Sequence, residues 1–191
     1  MGREICYFHT GGEDVLIFQE TKLKGLYIID IEKINDERGF FARSWDKHIF
    51  EQKGLNSNLV QCNVSFNKKK GTLRGMHYQE YPHQETKLVR CTRGSVYEVM
   101  IDLRKNSSTF KQWEAVKLRA TEHKMLYIPE GFALGFQTLE DNTELFYQMS
   151  QYYIPEFSCG IRWDDDVFKI SWPYEITVIS KKDQSFSSYN D

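Results

Sequence analysis

Along most of this chain apolar side chains recur at every second position in short runs broken by Gly, Pro, Asn and Asp, the period of half-buried strands. Residues 25–31, GLYIIDI, read as a β-branched buried strand, and 36–39, DERG, as a turn entering an aromatic strand through Phe40 and Phe41. Residues 87–93 and 95–103 flank Gly94, so a hairpin is expected, with Tyr97, Val99, Ile101 and Leu103 on one face. A second pair is expected from 113–118 and 124–128, joined by the polar turn 120–123. In 144–153, Leu145, Tyr147 and Met149 share one face and Glu144, Phe146 and Gln148 the other. One short helix is signalled by Ser44 or Asp46 as cap, Ile49 and Phe50 as its apolar side, and Gly54 as its end. Many short strands with one or two short helices predict an all-β sandwich or jelly roll. Residues 1–20 read as an N-terminal extension that adds an edge strand or covers a sheet, and 21–191 as a single domain.

Composition narrows the function classes. Aromatic residues make up 15% of 191 residues, which favours sheets with large cross-strand side chains. A net charge of -2 gives no global reason to expect nucleic acid or an anionic membrane as partner. Cys6, Cys62, Cys91 and Cys159 are scattered without a C-x-x-C pair, and the N-terminus lacks a basic start followed by an apolar run. A cytoplasmic protein with reduced thiols is expected.

The chemistry concentrates in residues 71–90, GTLRGMHYQEYPHQETKLVR, where His77 sits among Arg74, Lys87 and Arg90. An imidazole among fixed cations can take a proton from carbon while the negative charge left behind is held on a neighbouring oxygen or phosphate. That pattern points to carbon-acid chemistry on an anionic substrate; the plainer alternative is a sheet histidine beside solvated cations. Tyr147 is a candidate general acid, because a phenol keeps its proton at neutral pH. Tyr152 and Tyr153 are candidates for stacking on a nucleobase. The run 68–70, KKK, reads as an exposed loop and 164–166, DDD, as a turn. No H-x-H pair or calcium-loop spacing is present, so no metal site is expected.

Taken together, DERGFF at 36–41, QCN at 61–63, GTLRGMHYQ at 71–79, KLVRCTRGSVYEVMIDLRKNSSTF at 87–110, IPEGFALGF at 128–136, YYIP at 152–155, GIRWDDD at 160–166 and SKKD at 180–183 give the chain a family likeness. It resembles the dTDP-4-dehydrorhamnose 3,5-epimerases, nucleotide-sugar epimerases of the rhamnose pathway. The resemblance implies a cupin-type jelly roll, a homodimer, and catalysis without metal or organic cofactor. It implies His77 as catalytic base, Asp183 as the carboxylate that orients it, Tyr147 as general acid and Lys87 beside the keto oxygen. Substrate-binding positions implied are Arg38, Gln61, Asn63, Arg74 and Lys182, with Tyr153 stacking on the base. A C4 ketone acidifies the hydrogens at C3 and C5, so the expected reaction inverts one or both carbons of a 4-keto-6-deoxyhexose through an enolate.

Two positions depart from the family pattern. Leu134 stands where a histidine is usual, removing a polar contact to the sugar, and Arg43 stands where a glutamate is common. Thymine offers an N–H at N3 that a carboxylate accepts, whereas cytosine offers acceptors that an arginine meets. The expectation is therefore some preference away from dTDP toward CDP. Two alternatives stand beside it, a C5 epimerase of a CDP-linked 3,6-dideoxy-4-keto sugar and a non-catalytic module that binds a nucleotide sugar.

Overall fold

The computed structural model describes residues 16–189. Two sheets face each other, with strands numbered in chain order. The first has the order β1 (Leu16–Glu20), β2 (Tyr27–Ile31), β10 (Met125–Ile128), β7 (Lys87–Arg93), β12 (Thr143–Met149), β5 (Gln61–Asn67). The second runs β13 (Ser158–Gly160), β6 (Thr72–Gln79), β11 (Phe132–Thr138), β8 (Ser95–Asp102), β9 (Trp113–Arg119), with β14 (Val178–Ile179) parallel to β6. A small hairpin of β3 (Ile34–Asp36) and β4 (Gly39–Phe41) stands apart from both. The molecule is thus the expected cupin-like β-sandwich. Part of the expected N-terminal extension, 1–15, lies outside the described residues; its last five residues form β1, an edge strand on β2.

Two short helices complete the fold. Helix α1 (Lys47–Gln52) begins at Asp46, whose carboxylate accepts from the N–H groups of His48 and Ile49, so of the two caps expected from sequence Asp46 is the one used. Helix α2 (Lys181–Gln184) is capped by the Ser180 hydroxyl, which accepts from the Asp183 N–H at 3.0 Å.

Alternation assigned faces correctly but partners wrongly. Strands β7 and β8 do not form the expected hairpin: β7 pairs with β10 and β12, β8 with β11 and β9, in opposite sheets. The reason lies at Gly94, which turns the chain at φ +73°, and whose absent Cβ would meet Thr143 Oγ1 at 2.5 Å. The turn is a corner between layers, too tight against β12 for any side chain. Likewise β9 and β10 do not pair; β10 lies between β2 and β7.

Three apolar clusters follow from these layers. Val89, Cys91, Val96, Met100, Leu118, Leu134, Phe136 and Leu145 fill the space between the sheets. Helix α1 covers the outer face of the first sheet through Ile49 and Phe50, against Leu88, Met125 and Tyr127. The outer face of the second sheet carries Val99 and Ile101, with Tyr97 and Leu103 beside them, and is covered by Ile161, Phe168 and Trp172 from the C-terminal segment. The shared face read for Tyr97, Val99, Ile101 and Leu103 is therefore real, and the opposite face of β8 is buried as well.

Candidate active site

Between the sheets lies a cavity of about 240 Å³ lined by Asn63, Ser65, Arg74, His77, Lys87, Leu134, Phe136, Tyr147 and Met149. Each sheet contributes one of the two side chains expected to move protons. His77 projects from β6 in the second sheet, and Tyr147 from β12 in the first, on the same strand face as Leu145 and Met149. A larger cleft of about 560 Å³ lies elsewhere, lined by Arg162, Trp163, Trp172 and Tyr174 among others, but it holds no base paired with an acid.

The wall around His77 is built by close backbone approach. Gly75 adopts φ +119°, and a Cβ there would meet Gly135 Cα at 2.5 Å and the Leu134 carbonyl at 2.7 Å. Only glycine lets β6 and β11 come this near. The β6–β11 register shifts at that point and leaves Leu134 directly opposite His77. His77 Nε2 lies 2.7 Å from Asp183 Oδ1. Burial opposes ionisation of Asp183, yet the bond from His77, the attraction of its ring and the Gly75 N–H outweigh it and hold the carboxyl below its ordinary range. An ionised carboxylate only accepts, so Nε2 carries a hydrogen, and in the neutral ring Nδ1 is the atom with the lone pair. The His77 side chain is 41% exposed and Asp183 only 5%. The imidazole thus reaches solvent while the carboxylate bonded to it does not.

On the facing wall, burial pushes the Tyr147 phenol well above its ordinary value; Glu98 and Cys91 add to this and Arg74 opposes it. The phenol therefore stays protonated, as a donor must. Lys87 shares the inner face of β7 with Val89 and Cys91, and its ammonium bonds Glu85 at 2.8 Å. Arg74 Nε donates to Asn67 Oδ1 at 2.8 Å. Arg90, grouped with these cations in sequence, is not among the cavity-lining residues; its guanidinium stacks on Phe146, 5.5 Å from the ring centroid.

The remaining expected positions divide. Asn63, Arg74, Lys87 and Leu134 line the cavity. Gln61 neighbours Asn63 on β5 and accepts from the Tyr153 N–H at 3.0 Å, which puts Tyr153, half exposed, close to that rim. Lys182 is exposed on α2, next to Asp183. Arg38 and Arg43 do not line this chain's cavity. Arg38 sits at the tip of the β3–β4 hairpin, its Nε 3.1 Å from Asp36 Oδ2, and Arg43 reaches Asp46 at 2.6 Å. Ser65, Phe136 and Met149 also line the cavity and went unnoticed in sequence, although Met149 shares the face of Tyr147. The three aspartates 164–166 do form a turn, with Asp165 accepting from the Val167 N–H, and no cluster of three or more His, Cys, Asp or Glu suited to a metal occurs among the described residues.

The sequence profile of the dTDP-4-dehydrorhamnose 3,5-epimerase family matches residues 20–191. The chain belongs to this family. The dTDP-4-dehydrorhamnose 3,5-epimerase of Methanothermobacter thermautotrophicus is 41% identical over 172 residues, covering 88% of this chain and 92% of its own. Among solved structures, the Bacillus anthracis enzyme with TDP and pyrophosphate bound superposes with a TM-score of 0.87 at 37% identity, covering 91% and 99% of the two chains. The Legionella pneumophila enzyme, in complex with dTDP-4-keto-L-rhamnose, gives a TM-score of 0.84 at 35% identity, covering 91% and 92%. As a member of the dTDP-4-dehydrorhamnose 3,5-epimerase family this chain is an isomerase of the epimerase type.

Proposed function

We propose that this chain inverts C3 and C5 of dTDP-4-dehydro-6-deoxyglucose, with His77 as base and Tyr147 as acid. One observation carries the reading: an imidazole with a free Nδ1 and a protonated phenol project into one cavity from opposite sheets, with the Lys87 side chain in the same cavity. His77 Nδ1 takes the hydrogen alpha to the C4 carbonyl, and Asp183 steadies the imidazolium that forms. The electron pair moves onto the carbonyl oxygen, where Lys87 balances the charge of the enolate. Tyr147 then delivers its proton to the opposite face of the same carbon, and the configuration inverts. Each of the two proton transfers is worth about 10²–10⁴-fold when its group is well placed.

The TDP-bound and dTDP-sugar-bound relatives support dTDP over CDP as the nucleotide. The Arg43 argument for CDP loses its footing, because Arg43 is tied to Asp46 and lines no part of this cavity. Arg38 serves substrate in a homodimer, in which the β3–β4 hairpin of one chain reaches the cavity of its partner. The exposed Ile34, Phe40 and Phe41 of that hairpin support this arrangement. No helix among the described residues is long and apolar enough to cross a membrane, and Cys62, Cys91 and Cys159 are free thiols, which suits a cytoplasmic enzyme.

Turnover in D₂O followed by NMR tests the chemistry. Label at both C3 and C5 with wild type, none with His77→Ala, and label without full inversion with Tyr147→Phe is the expected result. Label at one carbon only would reduce the activity to a monoepimerase, consistent with apolar Leu134 facing the base, and no label at all would leave a binding module.

A further inference from the structure

Glu98 is a titratable group that the mechanism above leaves unused. It lies on the inner face of β8 with Val96 and Met100, is 0% exposed, and neither of its carboxyl oxygens has a hydrogen-bond partner. Its cross-strand neighbours are Val116 on β9 and Phe136 on β11, and Phe136 lines the cavity. Leu134, also in the cavity wall, stands one step further along the same face, opposite Met100. Glu98 therefore sits one layer behind the cavity wall.

No cation is bonded to it. Lys87 is held by Glu85 and Arg74 by Asn67. The other ionisable groups facing this layer are the Tyr147 phenol on β12, the buried Cys91 thiol on β7 and Glu114 on β9, opposite Met100. All of these would be neutral or negative when ionised, so none compensates a carboxylate. Burial accordingly pushes Glu98 up to about 8, with the charge of Lys87 pulling the other way. At neutral pH the side chain is an uncharged acid.

We propose that Glu98 is an electrostatic positioning residue for the epimerisation, which supports catalysis only while its carboxyl is neutral. The role rests on the assignment of Tyr147 as proton donor and Lys87 as enolate partner. An uncharged Glu98 adds no second negative charge to the one that Glu85 already sets beside the Lys87 ammonium. An ionised Glu98 places a negative charge behind the phenol, which makes Tyr147 a poorer donor, and offsets the charge of Lys87 at the moment the enolate forms. The first slows return of a proton to carbon and the second slows formation of the enolate, so both lower turnover. The carboxyl thus acts as an off-switch on the alkaline side, distinct from the His77–Asp183 pair that governs the acid side.

The test is the pH profile of kcat for wild type and Glu98→Gln, whose amide copies the neutral acid in shape and never ionises. Wild type is expected to lose activity as pH rises through about 8, whereas Glu98→Gln keeps kcat near the wild-type plateau at pH 7 and moves its alkaline limb up by at least about one unit. In D₂O at pH 7, an infrared band of a protonated carboxylic acid should be present in wild type and missing from Glu98→Gln. If the glutamine variant fails to fold, Glu98→Met, also permanently neutral, carries the same expectation. Coincident alkaline limbs in wild type and a folded neutral variant, or no acid band in wild type, overturn the proposal. Tyr147→Phe separates the two assignments: if it retains full inversion, the donor assignment fails, and if it loses inversion while the limbs coincide, only the role of Glu98 fails.

Discussion

Asp183 and Glu98, two of the buried carboxyl groups in or beside the second sheet, are treated by the structure in opposite ways. Asp183, on α2, receives a bond from His77 and one from the Gly75 N–H, and is held ionised. Glu98, on β8, receives nothing and is held neutral. Burial acts the same way on both; the supply of donors decides the charge. The difference teaches that a carboxyl in this sandwich takes its role from its nearest donors and not from depth. It also separates two tasks, since a fixed negative charge can hold an imidazolium whereas a neutral acid spares a nearby ammonium.

The sharpest way to break the contrast is to make Asp183 neutral as well. Asp183→Asn should lower kcat by about 10²–10⁴-fold, because the amide cannot balance the imidazolium and can turn the ring to the wrong tautomer. Steady-state turnover checks this, and an unchanged kcat would remove the pair from the mechanism.

Next in size is the linkage of stability to pH, where the two groups have opposite signs. Asp183, lowered in the fold, contributes stability above its unfolded value that is lost as pH falls through the folded one. Glu98, raised from 4.5 to about 8, binds a proton in the fold that the unfolded chain has released across that interval. Its contribution to stability therefore falls as pH rises through the window, by at most about 1.4 kcal/mol per unit. Denaturant titrations at several pH values should show this slope in wild type and not in Glu98→Gln; parallel slopes would mean that Glu98 does not titrate there.

Gly75→Ala tests the donor side of the contrast. A methyl group would strike backbone atoms at 2.5 and 2.7 Å and displace the N–H that faces Asp183, so a loss of about 1–3 kcal/mol is expected in thermal or denaturant unfolding, with reduced turnover. A neutral result would show that β6 and β11 can separate freely. The smallest effect belongs to a carboxylate in water. Arg119→Ala removes the 3.0 Å partner of Glu122 at the surface and should change stability by no more than about 1 kcal/mol, read by the same unfolding measurement.

Much of this arrangement was legible in the sequence where a face was at stake. Period two placed Lys87 opposite Leu88 and put Tyr147 with Leu145 and Met149, and both side chains do reach the interior. It could not say which strand lies beside which, since alternation describes one strand at a time. Gly94 read as a hairpin turn because a corner between sheets carries the same residue; its difference lies in Thr143, distant in sequence. The pairing of Asp183 with His77 spans 106 residues and came only from resemblance to a family. Glu98 went unremarked, although a glutamate in step with Val96 and Met100, inside a strand apolar on both faces, was a signal in plain view. Arg38 matched a family position and Arg43 departed from one, yet neither lines the cavity, a matter of packing that no local pattern encodes.

If His77 and Tyr147 are the base and donor proposed above, the two protons exchanged in one inversion belong to opposite layers of the sandwich. A hydrogen taken by the half-exposed imidazole has two fates, return to the carbon it left or loss to bulk water, while the replacement arrives from the far layer. The ratio of isotope washed out to stereocentres flipped is then a ruler laid between the layers, and anything that swells or squeezes the interior, such as pressure or a cavity-making change at Leu134, should move that ratio before it alters how tightly the nucleotide is held.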